Sequence, residues 1–311
     1  MTPSKPLKLI TVQGTTASGK SAFALQLAEL TRSEIISADS RQIYKFMDIG
    51  TAKPTKEVQE KIKHHLIDII TPDQSYNAGR FAREAEEIIA ILNSNDYIPI
   101  VVGGTGFYIK SLLEGLADIP DIPYETRQSI ITMHSSKTDR ELHDYLAAID
   151  PDSAQRINYQ DRQKLLRAVS VFQFTGKPIS SFWQQDKPKR VFTSFNIQIS
   201  LKRDLIYNRI NNRVDKMMDS GLLEEVESLL DKGYKQHDPG MRSVGYQELF
   251  PYFNNEVSLD TCIELVKQHT RNYAKRQLTW LKKNHFDLTL GESCINFSQI
   301  LKDIKEYFRS T

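Results

Sequence analysis

The sequence predicts an α/β fold: a parallel sheet flanked by helices, with a helical domain inserted into it. Three observations carry that expectation. Short aliphatic and β-branched runs alternate with helical stretches over the first hundred residues. A glycine-rich segment, GTTASGKS at 14 to 21, sits where the first of those runs hands over to a helix. After the DIPD segment at 118 to 121 the strand-like runs stop, and charge-rich helical patterning replaces them through KPKR at 187 to 190.

Taken in order, Leu7 to Val12 is the first expected strand and Ser18 to Leu30 the helix after it. Ile35 to Ala38 and Leu66 to Ile70 follow as strands, then a helix over Phe81 to Leu92 and a strand over Ile98 to Val102. These strand runs are apolar on both faces, as a sheet covered by helices on both sides requires. Phe195 to Leu201 alternates and is expected to return to the sheet. Two long helices complete the pattern. Leu205 to Leu230 carries Ile206, Ile210, Val214, Met217 and Met218 on one stripe, and Thr261 to Lys283 follows a cap at Asp260. The expected domains are therefore 1–117 with 195–311, and an insertion at 118–194.

A length of 311 residues suits two domains at about 150 residues each. With 40% apolar and 26% charged residues, collagenous, low-complexity and disordered classes are excluded. Two cysteines, Cys262 and Cys294, make neither a disulfide framework nor a four-ligand zinc site and suit a reducing compartment. His64 and His65 have no metal-ligand spacing with them and are expected to be structural or surface residues. The longest apolar run, Ile88 to Leu92, falls far short of a membrane span, and MTPSKPLKLI lacks a signal peptide's apolar segment. The expectation is a soluble, untargeted, cytoplasmic monomer.

The net charge of +2 is unevenly spread. Arg156 to Arg190 holds eight Lys/Arg against two Asp/Glu, and Lys267 to His285 holds six against none, which suits a polyanionic partner.

Gly14-Thr15-Thr16-Ala17-Ser18-Gly19-Lys20-Ser21 completes the G-x-x-x-x-G-K-[ST] pattern of a phosphate-binding loop between strand and helix, which makes the core P-loop NTPase-like. Its glycines let backbone N–H groups and the helix N-terminus face phosphate oxygens, with Lys20 as a point charge and the Ser21 hydroxyl for Mg²⁺. Asp39-Ser40-Arg41-Gln42 lies at the carboxyl end of the second strand, where open α/β sheets bind ligands. Asp39 is placed either to accept a proton from a nucleophile or simply to cap its turn. Gly103-Gly104-Thr105-Gly106 ends a later strand, bringing a hydroxyl to the same crevice or making a plain tight turn. No acidic residue ends that strand, which weakens an ATPase reading.

Lys267, Arg271 and Lys275 recur at four-residue spacing, with Arg276, Lys282, Lys283, Tyr273 and Trp280 nearby. That is a basic stripe suited to a phosphate backbone or to solvent. Arg162, Lys164 and Arg167 form a second basic stretch in the insertion.

Together these segments resemble the bacterial tRNA dimethylallyltransferases, the tRNA isopentenyltransferases. The resemblance rests on GTTASGKS at 14 to 21, ISADSRQIYKFMDIGTAKP at 36 to 54, HHLID at 64 to 68 and VVGGTGFYIKSLLEGL at 101 to 116, with RSVGYQE at 242 to 248 and YAKRQLTWLKK at 273 to 283. Thr15 stands where the family more often has proline, a position that only shapes the loop entry. The zinc finger of the eukaryotic relatives has no counterpart here, which favours a bacterial source.

The resemblance implies that the loop over Gly14 to Ser21 holds the diphosphate of dimethylallyl diphosphate, with Mg²⁺ at Ser21. It implies that a mobile helical insertion grips the anticodon stem-loop of tRNA. Asp39 then resembles the residue that meets the adenine N6 amine, and Thr105 the hydroxyl beside the bridging oxygen, with Lys20 on the diphosphate. Ser40, Arg41, Gln42, Arg127, Gln163, Lys164, Arg167, Arg242, Gly245, Tyr246 and Gln247 resemble tRNA-contacting positions. So do Arg271, Lys275, Arg276 and Trp280. A small-molecule P-loop kinase, a prenyltransferase of free adenine nucleotides and a non-catalytic RNA-binding protein are the alternatives.

Overall fold

Three of the four strand runs that are apolar on both faces enter one sheet, and its topology explains where the glycine-rich loops meet. The computed structural model describes residues 6–117, 119–183, 192–292 and 295–311. Asp118, the Lys187 to Arg190 cluster and Cys294 lie outside the described residues.

The chain divides into two compact units, Met1–Leu113 with Val191–Thr311, and Glu114–Arg190. The first begins with β1 (Leu7–Gly14), α1 (Lys20–Thr31), β2 (Ile35–Ser37), α2 (Lys56–Lys61), β3 (His64–His65), α3 (Ala78–Ser94), β4 (Ile100–Gly103) and α4 (Gly106–Glu114). The second holds α5 (Tyr124–Met133), α6 (Asp139–Ile149), α7 (Pro151–Arg156), α8 (Arg162–Thr175) and α9 (Ile179–Trp183). The first unit resumes with β5 (Phe192–Ile199), α10 (Arg203–Asp219), α11 (Leu222–Asp231), a 3-10 turn (Gln247–Leu249), α12 (Phe250–Phe253), α13 (Leu259–Leu281), β6 (Leu288–Leu290) and α14 (Phe297–Ser310).

The six strands run in the order β3-β2-β4-β1-β5-β6, and every pairing is parallel. Because β2, β4 and β1 are neighbours, the loops leaving their carboxyl ends share one edge of the sheet, where such folds bind ligands. Val102 pairs with Val12 on one side and Ser37 on the other, which sets Gly14, Asp39 and Gly104 within a residue or two of one line. The core packs Ile10, Val12 and Ile197 of the sheet against Phe23 and Leu27 of α1 and Ile300, Ile304 and Phe308 of α14. The inserted unit has its own core, with Leu142, Leu146, Leu165 and Val169 fully buried.

Three expected elements differ from the structure. The third strand is His64–His65 and not Leu66 to Ile70, because Leu66 and Asp68 adopt φ of 60° and 55° and leave the ladder. Asp68 accepts instead from Lys53, 2.5 Å away, and Ile70 keeps a single bridge to Tyr44. Leu205 to Leu230 is two helices, broken at Gly221, whose φ of +95° has left the right-handed helical region. The cap of α13 is Ser258, whose hydroxyl accepts from Thr261 N at 3.3 Å, and Asp260 lies in the first turn. None of the described helices is long and apolar enough to cross a membrane.

Candidate active site

The loop between β1 and α1 curls because two residues take left-handed backbone, Ala17 at φ 60° and Gly19 at φ 93°. That geometry buries the hydroxyls of Thr15 and Ser18, and neither has a hydrogen-bond partner among the described residues. Buried hydroxyls without partners are costly, so they mark where an oxygen-rich ligand would supply the missing bonds. Lys20 reaches back to the Thr15 carbonyl at 3.2 Å.

Around this loop the structure assembles groups that motif reading missed. Arg213 of α10 donates to the Thr16 hydroxyl at 3.3 Å, and Arg209 approaches the Ser18 carbonyl at 3.5 Å. Gln277 of α13, 7% exposed, accepts from Thr16 N at 2.8 Å and donates to the Gly104 carbonyl at 2.9 Å. One buried amide thus clamps two glycine-rich loops together. A Cβ on Gly104 would overlap that amide, and one on Gly103 would overlap the Ala38 carbonyl. These glycines permit close approach of backbone, which the plain-turn alternative does not explain.

Lys20, Ser21, Thr16, Asp39, Arg213 and Tyr273 all line one cavity of about 630 Å³. Leu25, Ile35, Val58, Val214 and Met217 give it apolar walls. Burial pushes the Lys20 ammonium down to about 8, with the Asp39 carboxylate opposing the shift and the Arg213 charge adding to it. The Arg213 guanidinium is lowered for the same first reason, again opposed by Asp39. Burial pushes the Tyr273 hydroxyl up to about 12, with Asp39 adding to the rise. A cationic crevice with apolar walls suits a diphosphate carrying a hydrocarbon tail.

Asp39 caps its turn and also faces the cavity. Its Oδ1 caps the turn by accepting from Arg41 N at 2.9 Å, and the carboxylate still lines the cavity. Thr105 accepts from Ser40 N at 3.1 Å and shares a side-chain hydrogen bond with Tyr273, but it is not among the cavity-lining residues. It ties the β2 and β4 loops to α13. Arg41, Gln42, Arg242, Gly245, Gln247 and Arg276 also reach the cavity.

Several expected contact residues are placed differently. Tyr246 is fully buried, with its hydroxyl 2.5 Å from the Glu225 carboxylate. Glu225 also accepts from Asp48 N, Ile49 N and Gly50 N at 2.9, 2.8 and 3.2 Å, so Tyr246 anchors the 44 to 53 loop and presents no surface to a partner. Lys267 is ion-paired with Asp215 at 2.8 Å and Glu264 at 3.0 Å, which removes it from the basic stripe. Arg271 donates to Asn211 at 2.7 Å, while Lys275 and Arg276 are exposed.

In the inserted unit Arg162 is drawn into structure, bonding Asp139 at 2.8 Å and the carbonyls of Lys137 and His134. Gln163 is exposed, and Lys164 pairs with Asp161 at 2.6 Å. Arg127 lies close enough to Arg167 that its charge, after burial, depresses the Arg167 guanidinium. His64 lines the cavity and contacts the Ile62 carbonyl at 2.7 Å, and His65 meets Glu34 at 2.5 Å.

Residues 42–284 match the model of the IPP transferase family. Among similar proteins, a tRNA dimethylallyltransferase 2 of Geotalea uraniireducens is 40% identical over 303 residues, 97% of either chain. A tRNA dimethylallyltransferase of Geobacter sulfurreducens is 43% identical over 89% of each. Among solved structures, a tRNA isopentenylpyrophosphate transferase from Staphylococcus epidermidis superposes with a TM-score of 0.68 at 36% identity, covering 98% of this chain and 99% of that one. A eukaryotic dimethylallyltransferase that acts on tRNA gives 0.82 at 28% identity, covering 97% of this chain and 79% of that one. A match over most of the length, on a fold whose three glycine- and aspartate-bearing loops meet at one sheet edge, shows that this chain belongs to the IPP transferase family.

Proposed function

We propose that the protein transfers a dimethylallyl group from dimethylallyl diphosphate to the N6 amine of the adenosine 3′ of the anticodon in tRNA. The observation that carries this reading is the meeting of the Lys20 ammonium, the Arg213 guanidinium and the Asp39 carboxylate in one apolar-walled cavity. Cations there match the diphosphate, and the carboxylate matches a nucleophile that must lose a proton.

The bond from C1 of the allyl group to the diphosphate oxygen breaks, and its electron pair leaves with diphosphate. The N6 nitrogen forms the new bond to C1, and its proton passes to the Asp39 carboxylate. An exocyclic adenine amine is a weak nucleophile, so a base within reach lowers the barrier. Lys20, Arg213, the loop N–H groups and the buried Ser18 hydroxyl stabilise the charge that gathers on the leaving diphosphate. Thr105 and Gln277 hold the loops that carry these groups. The allyl donor must be shielded from water, which the apolar walls of Leu25, Ile35, Val58, Val214 and Met217 favour.

Among the described residues no three His, Cys, Asp or Glu side chains form a metal-binding group. The chain offers Mg²⁺ the Ser21 hydroxyl, with the Asp39 carboxylate lining the same cavity. That sparse oxygen set fits an ion that keeps most of its waters. Bound there, Mg²⁺ would supply further charge neutralisation for the leaving group.

The adenine must leave its stack to reach the cavity, at a cost of a few kcal/mol offset by contacts elsewhere on the RNA. We assign those contacts to Arg41, Gln42, Arg242, Gln247, Lys275, Arg276 and Trp280, and to Arg127, Gln163, Lys164 and Arg167 of the inserted unit. A cytosolic monomer is the setting this substrate suggests. The test is transfer of label from radiolabelled dimethylallyl diphosphate with Mg²⁺ to unmodified tRNA, with AMP, and ATP plus small acceptors, in parallel. Label in tRNA is expected. Label confined to AMP would move the assignment to free nucleotides, and ATP consumption without prenyl transfer would make the protein a kinase.

A further inference from the structure

We propose that Phe107, seated on Trp280, is a stacking platform for an unpaired RNA base next to the acceptor adenine. The proposal rests on the tRNA reading above and adds a specific contact to it. Phe107 is the second residue of α4 and lies two positions after Thr105. Its side chain is 51% exposed, among the most open large apolar residues described.

This aromatic residue is not an isolated one on a neutral surface. Its ring centroid is 6.4 Å from that of Trp280, with the planes at 89°, an edge-to-face pair. The Lys110 ammonium, one turn further along α4, stands over the Trp280 ring at 5.9 Å. The frame behind the pair is closely packed. A Cβ on Gly106 would overlap the Trp280 indole nitrogen, so α4 and α13 approach as closely as backbone allows. One turn before Trp280, Gln277 fixes α13 to the Gly104 carbonyl.

Charge decides what the platform takes. Lys275, Arg276, Lys282 and Lys283 are exposed, and no Asp/Glu stands between Lys267 and His285. A protein partner with an apolar anchor would have no need of that field, whereas an RNA strand needs cations along its backbone and flat faces for its bases. Flipping the acceptor adenine unstacks its neighbour, and the Phe107 ring, paired with Trp280 one turn along α13 from cavity-lining Gln277, replaces the lost stack.

The experiment uses the full chain and an anticodon stem-loop RNA carrying 2-aminopurine beside the acceptor adenosine. Phe107→Ala and Phe107→Leu are expected to weaken stem-loop binding about tenfold and to abolish the quenching of the probe. Affinity for dimethylallyl diphosphate and the melting temperature stay at wild-type values. Phe107→Trp restores both RNA readouts, which a merely apolar contact would not require. Wild-type affinity and quenching in Phe107→Ala would overturn the platform, even while the wild-type chain transfers label to tRNA. A wild-type chain that binds the stem-loop through Phe107 but transfers no label would instead overturn the transferase reading alone. Failure of the wild-type chain to bind the stem-loop would overturn both.

Discussion

Burial of Lys20 makes diphosphate binding depend on pH. Burial holds its ammonium near 8 in the free protein, well below the ordinary lysine value of about 10.4. A diphosphate beside it favours the charged form, so the bound state keeps the proton that the free state releases above pH 8. Dissociation constants for dimethylallyl diphosphate are therefore expected to be flat from pH 7 to about 8. Above that they should rise by up to tenfold per pH unit, about 1.4 kcal/mol at pH 9. Binding at pH 9 should take up close to one proton, read by calorimetry in buffers of different ionisation enthalpy. The sign for the unliganded fold is opposite. Between pH 8 and the unfolded value the native state binds fewer protons than the unfolded state, so this group's contribution to stability improves as pH rises. Lys20→Met removes both trends. An affinity that stays level from pH 7 to 9.5, with no proton uptake, would refute the burial argument and the placement of the diphosphate beside Lys20.

Three further outcomes follow from the same geometry. Asp39→Asn keeps the acceptor for Arg41 N but lacks the base, so turnover should fall by about 10²-fold or more while tRNA affinity is retained, as single-turnover kinetics would read. Gln277→Leu strands Thr16 N and the Gly104 carbonyl, at about 1 kcal/mol each. The melting temperature should drop by about 4 °C and diphosphate affinity should weaken, as scanning calorimetry and titration would show. Lys275→Ala with Arg276→Ala should lower the salt slope of tRNA binding by about two, whereas Lys267→Ala, already ion-paired, should leave it unchanged.

The β1 to α1 loop, Asp39 and the β4 glycines were legible in the sequence because each depends on local backbone chemistry, and strand order alone brings them together. The residues between them were not legible. Arg213 lies nearly 200 positions from the loop it bonds, and Gln277 sits 261 from Thr16, on a helix whose pattern announces only a basic stripe. No periodicity marks a buried amide that clamps two turns. Charge counting misjudged Lys267 and Arg162 because it does not see their partners, Asp215 and Asp139. The false strand at Leu66 to Ile70 is a run of apolar residues whose alternate members take left-handed backbone to deliver Asp68 to Lys53. Helix α14 was readable from Phe297, Ile300, Leu301, Ile304 and Phe308 after the Asn296 cap, an amphipathic signal absent from the expected elements.

The most direct measurement digests unmodified tRNA to nucleosides after incubation with the protein, Mg²⁺ and dimethylallyl diphosphate, and locates the product by mass spectrometry. An N6-dimethylallyl adenosine at the position 3′ of the anticodon is expected with the wild-type chain, and none above background with Asp39→Ala. An unmodified adenosine with the wild-type chain, or the same yield from both proteins, would contradict that expectation.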